Sequence, residues 1–318
     1  MEKHLLGFDI GGTKCAAILG KVSIDNQFQI LEKRIFSTSS APTPELCISR
    51  FMSEAEDMMS ALPGITPEAI GISCGGPLDS SRGIIMSPPN LPGWDDVPIC
   101  EIIGRHFHLP VKLCNDADAC ALAEWRFGAG RGTQNMAFLT FGTGLGAGLI
   151  LQGKLYSGAS GMAGECGHIR LANDGPVGYG KHGSFEGFCS GGGIAQLGQA
   201  YAAKHIPLPW CKSHAEIASI TAKDIANAAN AGDASARAIF EESGRRLGAG
   251  LSILIDLLNL ERIVIGSIFQ RCEHLLRPTM EETLKQEALP QSLAKCSIVP
   301  AELGENIGDV AALSVAIL

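Results

Sequence analysis

A strand that ends in a carboxylate and two glycines, then turns straight back on itself, limits this chain more than any other feature. Leu5, Leu6, Phe8 and Ile10 form an apolar strand that runs into Asp9, Gly11, Gly12, Thr13 and Lys14. A second apolar stretch, 15–19, follows at once. The pattern predicts a β-hairpin whose tight turn exposes backbone N–H groups beside a carboxylate. Such N–H groups cradle phosphate oxygens, and a neighbouring Asp can hold a magnesium ion through its waters. Many hairpins also carry paired glycines for backbone reasons alone, so a purely structural turn is the other reading of this run. A second copy lies about 130 residues on. In 136–151 an apolar strand meets Gly142, Thr143 and Gly144, and an apolar return strand follows. Gly146 and Gly148 fall on one face of that return strand, where missing side chains permit close approach. Two such hairpins predict an internal duplication, with one nucleotide clamped between two halves. The plainer reading of this second hairpin is a glycine-rich packing element.

Length and composition narrow the class. The 318 residues suit two domains with large cores. Hydrophobic residues make up 46% and charged residues 18%, which argues against disorder. The net charge of −8, with no basic run, argues against nucleic acid as a main partner. No signal-peptide pattern opens the chain. The most apolar stretch, 251–260, is short and broken by Asp256, so no membrane partner is expected. Eleven scattered cysteines include no C-x-x-C pair and read as small core residues in a reducing cytoplasm.

Strand and helix patterns alternate. Strands are expected at 29–36, 69–73, 111–114, 262–265 and 297–299. Helices are expected at 44–62 (capped by Thr43), 97–107, 116–127, 234–258, 269–285 and from 308 to the end. The alternation predicts α/β architecture. Residues 87–94, rich in proline, read as a rigid loop. Residues 158–193 read as a loop and hold twelve glycines, too many for ordinary packing.

Two places could carry chemistry. Asp116 stands where a buried strand becomes a helix, at the carboxyl end of the strand, where α/β folds bind ligands. The helix dipole there favours an ionised carboxylate. Asn and Asp are also preferred helix caps, so one of Asn115 and Asp116 caps while the other faces a cleft, or both are structural. In the run from Gly164 to His168, an extended backbone would set Glu165 and Gly167 on one side, and Cys166 and His168 on the other. A surface Glu beside a core His is the plainer alternative. Cys166, His168, His182 and Cys189 match no common zinc spacing.

Together these segments resemble the ROK family of sugar kinases and related repressors. Residues 9–14 resemble its first phosphate motif, 87–94 its sugar loop, 115–118 its catalytic Asn-Asp-Ala-Asn, 141–148 its second phosphate motif, and 163–168 its Ala-Gly-Glu-x-Gly-His signature. The resemblance implies duplicated actin-like ATPase (ribonuclease H-like) domains with a ligand cleft between them. Residues 1–115 with 301–318 would form the small domain and 116–300 the large one. It implies ATP-dependent phosphorylation of a hexose or N-acetylhexosamine at the 6-hydroxyl, in a cytoplasmic homodimer or higher homo-oligomer.

By the same resemblance Asp116 would be the general base. An ordinary low pKa would suit it, because a loose transition state keeps the hydroxyl proton until late. Gly76, Asn90, Asn115, Glu165, His168 and Glu186 would bind the sugar. Asp9 would position magnesium through water. Gly11, Gly12, Thr13, Lys14, Thr143, Gly144 and Gly266 would hold ATP. The chain departs from the family in three places. The three zinc cysteines are replaced by Val177, Tyr179 and Ser184, so no zinc is expected, and packing of Val177 and Tyr179 is expected to order the loop instead. Ser267 follows Gly266 where a second glycine is usual. Asp118 replaces Asn. The missing cysteines and Ser267 keep open a sugar-binding protein with little or no kinase activity. A regulator is the other alternative, although only eight residues precede Asp9, too few for a DNA-binding extension.

Overall fold

The computed structural model describes residues 2–23 and 27–318. The first half runs β1 (Lys3–Ile10), β2 (Lys14–Val22), β3 (Phe28–Ser37), α1 (Pro44–Ala61), β4 (Ala69–Cys74), β5 (Leu78–Asp79), β6 (Ile84–Ile85), α2 (Ile99–Phe107), β7 (Val111–Asn115) and α3 (Asp116–Phe127). The second opens with β8 (Met136–Phe141), β9 (Leu145–Leu151) and β10 (Lys154–Leu155). It continues with β11 (Val177–Gly178), β12 (Lys181–His182), α4 (Phe185–Phe188), α5 (Gly191–His205), α6 (Ala222–Asn230) and α7 (Ala234–Leu258). It closes with β13 (Arg262–Ile265), α8 (Ile268–Glu287), α9 (Pro290–Leu293), β14 (Ser297–Pro300) and α10 (Ile307–Val315). No helix among the described residues is long and apolar enough to cross a membrane.

Two five-stranded sheets carry the same plan. The first is ordered β3-β2-β1-β4-β7 and the second β10-β9-β8-β13-β14. In each, the opening pair is an antiparallel hairpin, and two parallel strands extend the sheet from its first strand. The duplication read from the paired glycine hairpins is therefore a duplication of the whole sheet.

Alternation along the strands explains the layers. Leu6, Phe8 and Ile10 face α1 and α2 in one core. The outer face of the second sheet is buried under α4 to α8. Leu5, Ala16 and Ile18 of the first sheet and Met136, Phe138 and Val264 of the second meet in a middle core, filled by α3 and α10. Small residues let these helices come close. A Cβ on Gly71 of β4 would collide with the Ala312 carbonyl of α10, and one on Gly7 would lie 3.0 Å from the Ala312 side chain. A Cβ on Gly148 would lie 2.5 Å from the Ala117 carbonyl and 2.6 Å from the Ala121 side chain, which is the close approach expected of that strand. The fully buried Glu124 ties the end of α3 to the chain entering α10: its carboxylate accepts from the Ala129, Glu302 and Leu303 N–H groups at 2.8, 3.0 and 2.9 Å.

The structure corrects several expectations. The helix at 97–107 begins only at Ile99, because Val97 bridges Ile85 as extended chain. The long loop is less irregular than its glycine content implies: it contains the β11–β12 hairpin and ends at Ser190. Ser190 caps α5, its Oγ accepting from the Gly193 N–H at 3.0 Å, so the three glycines 191–193 are a helix start. The Gly148→Ala variant is expected to lose about 1–3 kcal/mol in chemical denaturation, because α3 has no room to retreat from β9.

Candidate active site

The carboxyl ends of three neighbouring strands build one wall of a cleft. β1 delivers Asp9, β4 leads into Gly75 and Gly76, and β7 ends at Asn115, which pairs in register with Cys74. Asn115 is the N-cap of α3, with its Oδ1 accepting from the Ala117 N–H at 2.9 Å. Asp116 is the first helical residue, and its Oδ1 accepts the same N–H at 2.8 Å. A Cβ on Gly76 would lie 3.2 Å from Asn115 Nδ2, and one on Gly75 4.0 Å from Asp116 Oδ2. Asn115 thus caps and also turns its amide to the cleft, while Asp116 keeps Oδ2 directed there.

A cavity of about 240 Å³ opens against this wall, and Gly76, Asn115, Glu165, His168 and Glu186 all line it. Glu165 and His168 reach the same side because Cys166–His168 is a 3₁₀ turn, not the extended segment expected from sequence. Residues three apart eclipse in such a turn. Cys166 is buried behind it, and His168 is exposed to the cavity, not a core histidine. Glu186 Oε2 accepts the Leu145 N–H at 3.0 Å. Pro77, Leu78, Met162 and Tyr179 add an apolar rim that the sequence did not reveal. Asn90 is absent from this lining. It lies against the first hairpin, where a Cβ on Gly12 would come within 2.8 Å of its side chain.

The two glycine turns face elsewhere. The Gly11 N–H closes the first turn on the Lys14 carbonyl at 3.2 Å, and Thr38 Oγ1 donates to the Gly11 carbonyl at 2.6 Å from behind. The Thr38 N–H donates to Thr13 O at 3.0 Å. Lys14 and Asp9 line a small cavity of about 180 Å³ with Lys33 and Asp309, which are joined by a 2.6 Å ion pair. Gly142 and Thr143 of the second turn line a cavity of about 940 Å³ with Gly191, Gly192, Lys223, Ser267 and Arg271. Gly144 instead abuts Glu186, 2.7 Å from where its Cβ would stand. Gly266 sits against the Phe138 ring, and its neighbour Ser267 is the residue that reaches this cavity. Ser267 holds φ 55° and ψ −111°, a backbone suited to glycine. Its N–H donates to Gln270 Oε1 at 3.1 Å.

Acidic groups crowd the cleft. Burial, then the charges of Asp309 and Asp116, raise the Asp9 pKa to about 6. Burial also raises Asp116, against the lowering effect of the Ala117 N–H. The ordinary low value expected of Asp116 is therefore corrected: Asp116 is open to the cleft but surrounded by protein on its other sides, and desolvation outweighs the helix terminus. Burial and Glu186 raise Glu165, with His168 opposing them. The charge of Asp116 contributes to raising both Asp9 and Glu165.

Asp9 suits a divalent cation. Its excess negative charge is what a cation relieves, and a single carboxylate with waters is a usual magnesium arrangement. Zinc has no comparable site at 177–184. Val177 offers no donor atom, the 79% exposed Tyr179 ring is turned to the cavity beside His168, and Ser184 Oγ is the cap of α4, accepting from the Gly187 N–H at 3.1 Å. Hydrogen bonds help to order this loop; Val177 is half-buried, while the exposed Tyr179 does not supply the packing expected from sequence. Gln196 brackets Val177, accepting its N–H at 2.8 Å and donating to its carbonyl at 2.9 Å. Lys181 Nζ donates to the His168 carbonyl at 2.6 Å, and Arg170 to that of His182 at 2.7 Å.

The ROK family profile matches residues 5–317. The chain belongs to the ROK family. Relatives of this ROK protein include a glucokinase of Halalkalibacterium halodurans, 30% identical over 96% of this chain and 93% of that one. An N-acetylmannosamine kinase of Escherichia coli is 31% identical over 89% and 88% of the two chains. The crystal structure of a ROK glucokinase from Streptomyces griseus, in complex with glucose and AMPPNP, aligns with a TM-score of 0.75 at 30% identity, covering 99% of both chains. The paired sheets of this ROK protein are the duplicated actin-like ATPase fold.

One departure from the family pattern now has a physical setting. Asp118 is 5% exposed. Its Oδ2 accepts from Ser157 Oγ at 3.0 Å, while Oδ1 has no partner among the described residues. Burial raises its pKa from 3.8 to about 6. Between those values the folded protein binds a proton that the unfolded chain has lost, so stability falls as pH rises through this window. Asp118→Asn removes that loss. Its melting temperature should match that of the parent near pH 4 and exceed it at pH 7.5, by an amount corresponding to about 2–3 kcal/mol.

Proposed function

We propose that this ROK protein transfers the γ-phosphoryl group of ATP to the 6-hydroxyl of a hexose or N-acetylhexosamine. Sugar kinases among its relatives cover nearly the whole chain. The observation that carries the reading is the convergence of Asn115, Glu165, His168 and Glu186 on one cavity of about 240 Å³, at the start of the helix whose first residue is Asp116.

In this reading Asn115, Glu165, His168, Glu186 and the Gly76 backbone orient the sugar, with Asn90 joining them as the cleft closes. The 940 Å³ cavity takes the nucleotide, with Thr143, Gly191 and Gly192 near its phosphates and Gly144 completing the turn behind them. Gly11, Gly12, Thr13 and Lys14 approach them from the other half, and Gly266 sets the turn that brings Ser267 to the nucleotide. Residues 1–115 with 301–318 and residues 116–300 are the two domains that close on the pair. Closure excludes water, which would otherwise compete as acceptor.

Asp116 takes the proton of the 6-hydroxyl while that oxygen bonds to the γ-phosphorus, and the bond from that phosphorus to the bridging oxygen breaks, releasing ADP. A carboxylate raised by burial is a stronger base than an exposed one and fits this role near neutral pH. Magnesium held through Asp9 would neutralise phosphate charge. The eleven free cysteines suit a reducing cytoplasm.

A coupled assay of ADP release across hexoses and N-acetylhexosamines tests the reading. Asp116→Asn should lower kcat by about 10²–10⁴ while sugar binding persists in calorimetry; near-normal turnover would remove Asp116 from the role. Elemental analysis of protein purified in metal-free buffer should find far less than one zinc per chain. One equivalent would refute the metal-free loop.

A further inference from the structure

The β11–β12 hairpin turns through Tyr179 and Gly180, with φ values of 45° and 75°. Glycine accepts that backbone freely and tyrosine does not. Burial does not hold the ring in place, since Tyr179 is 79% exposed. The ring stands edge-on to the His168 imidazole, with centroids 6.2 Å apart and planes at 76°. It lines the same cavity as Glu165, His168 and Glu186. Met162, 53% exposed, continues the apolar rim. An aromatic ring kept in water on an unfavourable backbone, beside a polar cluster, presents the surface that a bound ligand covers.

We propose that Tyr179 is a specificity-determining residue that lays its ring against the C–H face of the bound sugar, at the end of the cavity marked by His168. The proposal rests on the reading of that cavity as the sugar site. A pyranose presents C–H groups on its faces and hydroxyls at its edge. The polar cluster satisfies the edge, and an aromatic face suits the rest. The hairpin is free to present the ring because other groups hold it: Gln196 fixes Val177, Ser184 caps α4, and Lys181 fastens His168 from behind. A position that resembles a metal ligand of the family thereby meets substrate instead.

The test uses the full chain and the sugar that wild type phosphorylates best. Tyr179→Phe keeps the ring and should leave the sugar KM within about twofold of wild type. Tyr179→Ala and Tyr179→Gly should each raise the sugar KM about tenfold, leave the ATP KM unchanged, and narrow the discrimination between that sugar and the next best. Tyr179→Gly should also melt no lower than wild type, since glycine relieves the turn, which separates lost contact from misfolding. A wild-type sugar KM in the alanine and glycine variants overturns this proposal and leaves the kinase reading standing. If wild type neither phosphorylates nor binds any sugar of the panel, the cavity reading fails and this proposal falls with it.

Discussion

The architecture depends on how closely two helices can lie between two sheets. α3 and α10 fill the space between the inner faces, and both press on strands that carry glycine where a side chain would stand: Gly7 and Gly71 under α10, and Gly148 under α3. Close approach removes apolar surface from water on both sides of each helix at once, which a bulkier interface would do less completely. It also fixes the height of the helices relative to the strand ends. Asn115 and Asp116 begin α3, and Gly308 of α10 comes so near Asp9 that a Cβ there would lie 3.0 Å from its carboxylate. The placement of Asp9 and Asp116 is thus set by packing in the middle layer.

That arrangement gathers negative charge. Asp9, Asp116 and Asp309 share one region, and among the described residues only Asp309 of the three has an ion-pair partner, Lys33. Glu165 and Glu186 repeat the pattern in the lining of the 240 Å³ cavity. Unliganded, the cleft carries uncompensated carboxylates whose pKa values rise through burial. Ligands that bring cations or donate hydroxyl protons relieve this. A cleft that is electrostatically strained when empty favours being filled, and the duplicated fold supplies the walls from both halves.

Much of this was legible locally. The hairpins, the helix starting at Asp116 and the strand at Arg262–Ile265 follow from apolar periodicity and turn residues, which act over a few positions. Gly148 was readable as a point of close approach because strand alternation assigns faces. The side on which His168 lies was not, since a single 3₁₀ turn at Cys166–His168 reverses the expectation of an extended chain. The run of three glycines after Ser190 falls in a stretch that reads as loop from its glycine content, yet a serine cap starts a helix there despite glycine's poor helix propensity. Tyr179 was legible only as a replacement for a family cysteine with an expected packing role, not as an exposed ring in the cavity. Its importance comes from a backbone conformation and from neighbours brought in by the fold, as does the pairing of Lys33 with Asp309, which lie 276 positions apart.

Glu186 borders two worlds. One of its oxygens holds the Leu145 N–H at 3.0 Å, at the start of the strand that leaves the second glycine turn, and the same turn presents Thr143 to the larger cavity. A hydroxyl arriving at that carboxylate competes for the electrons engaged by the backbone. One carboxylate thus joins the strand leaving the second glycine turn to the lining of the smaller cavity, and a change at Glu186 reaches both.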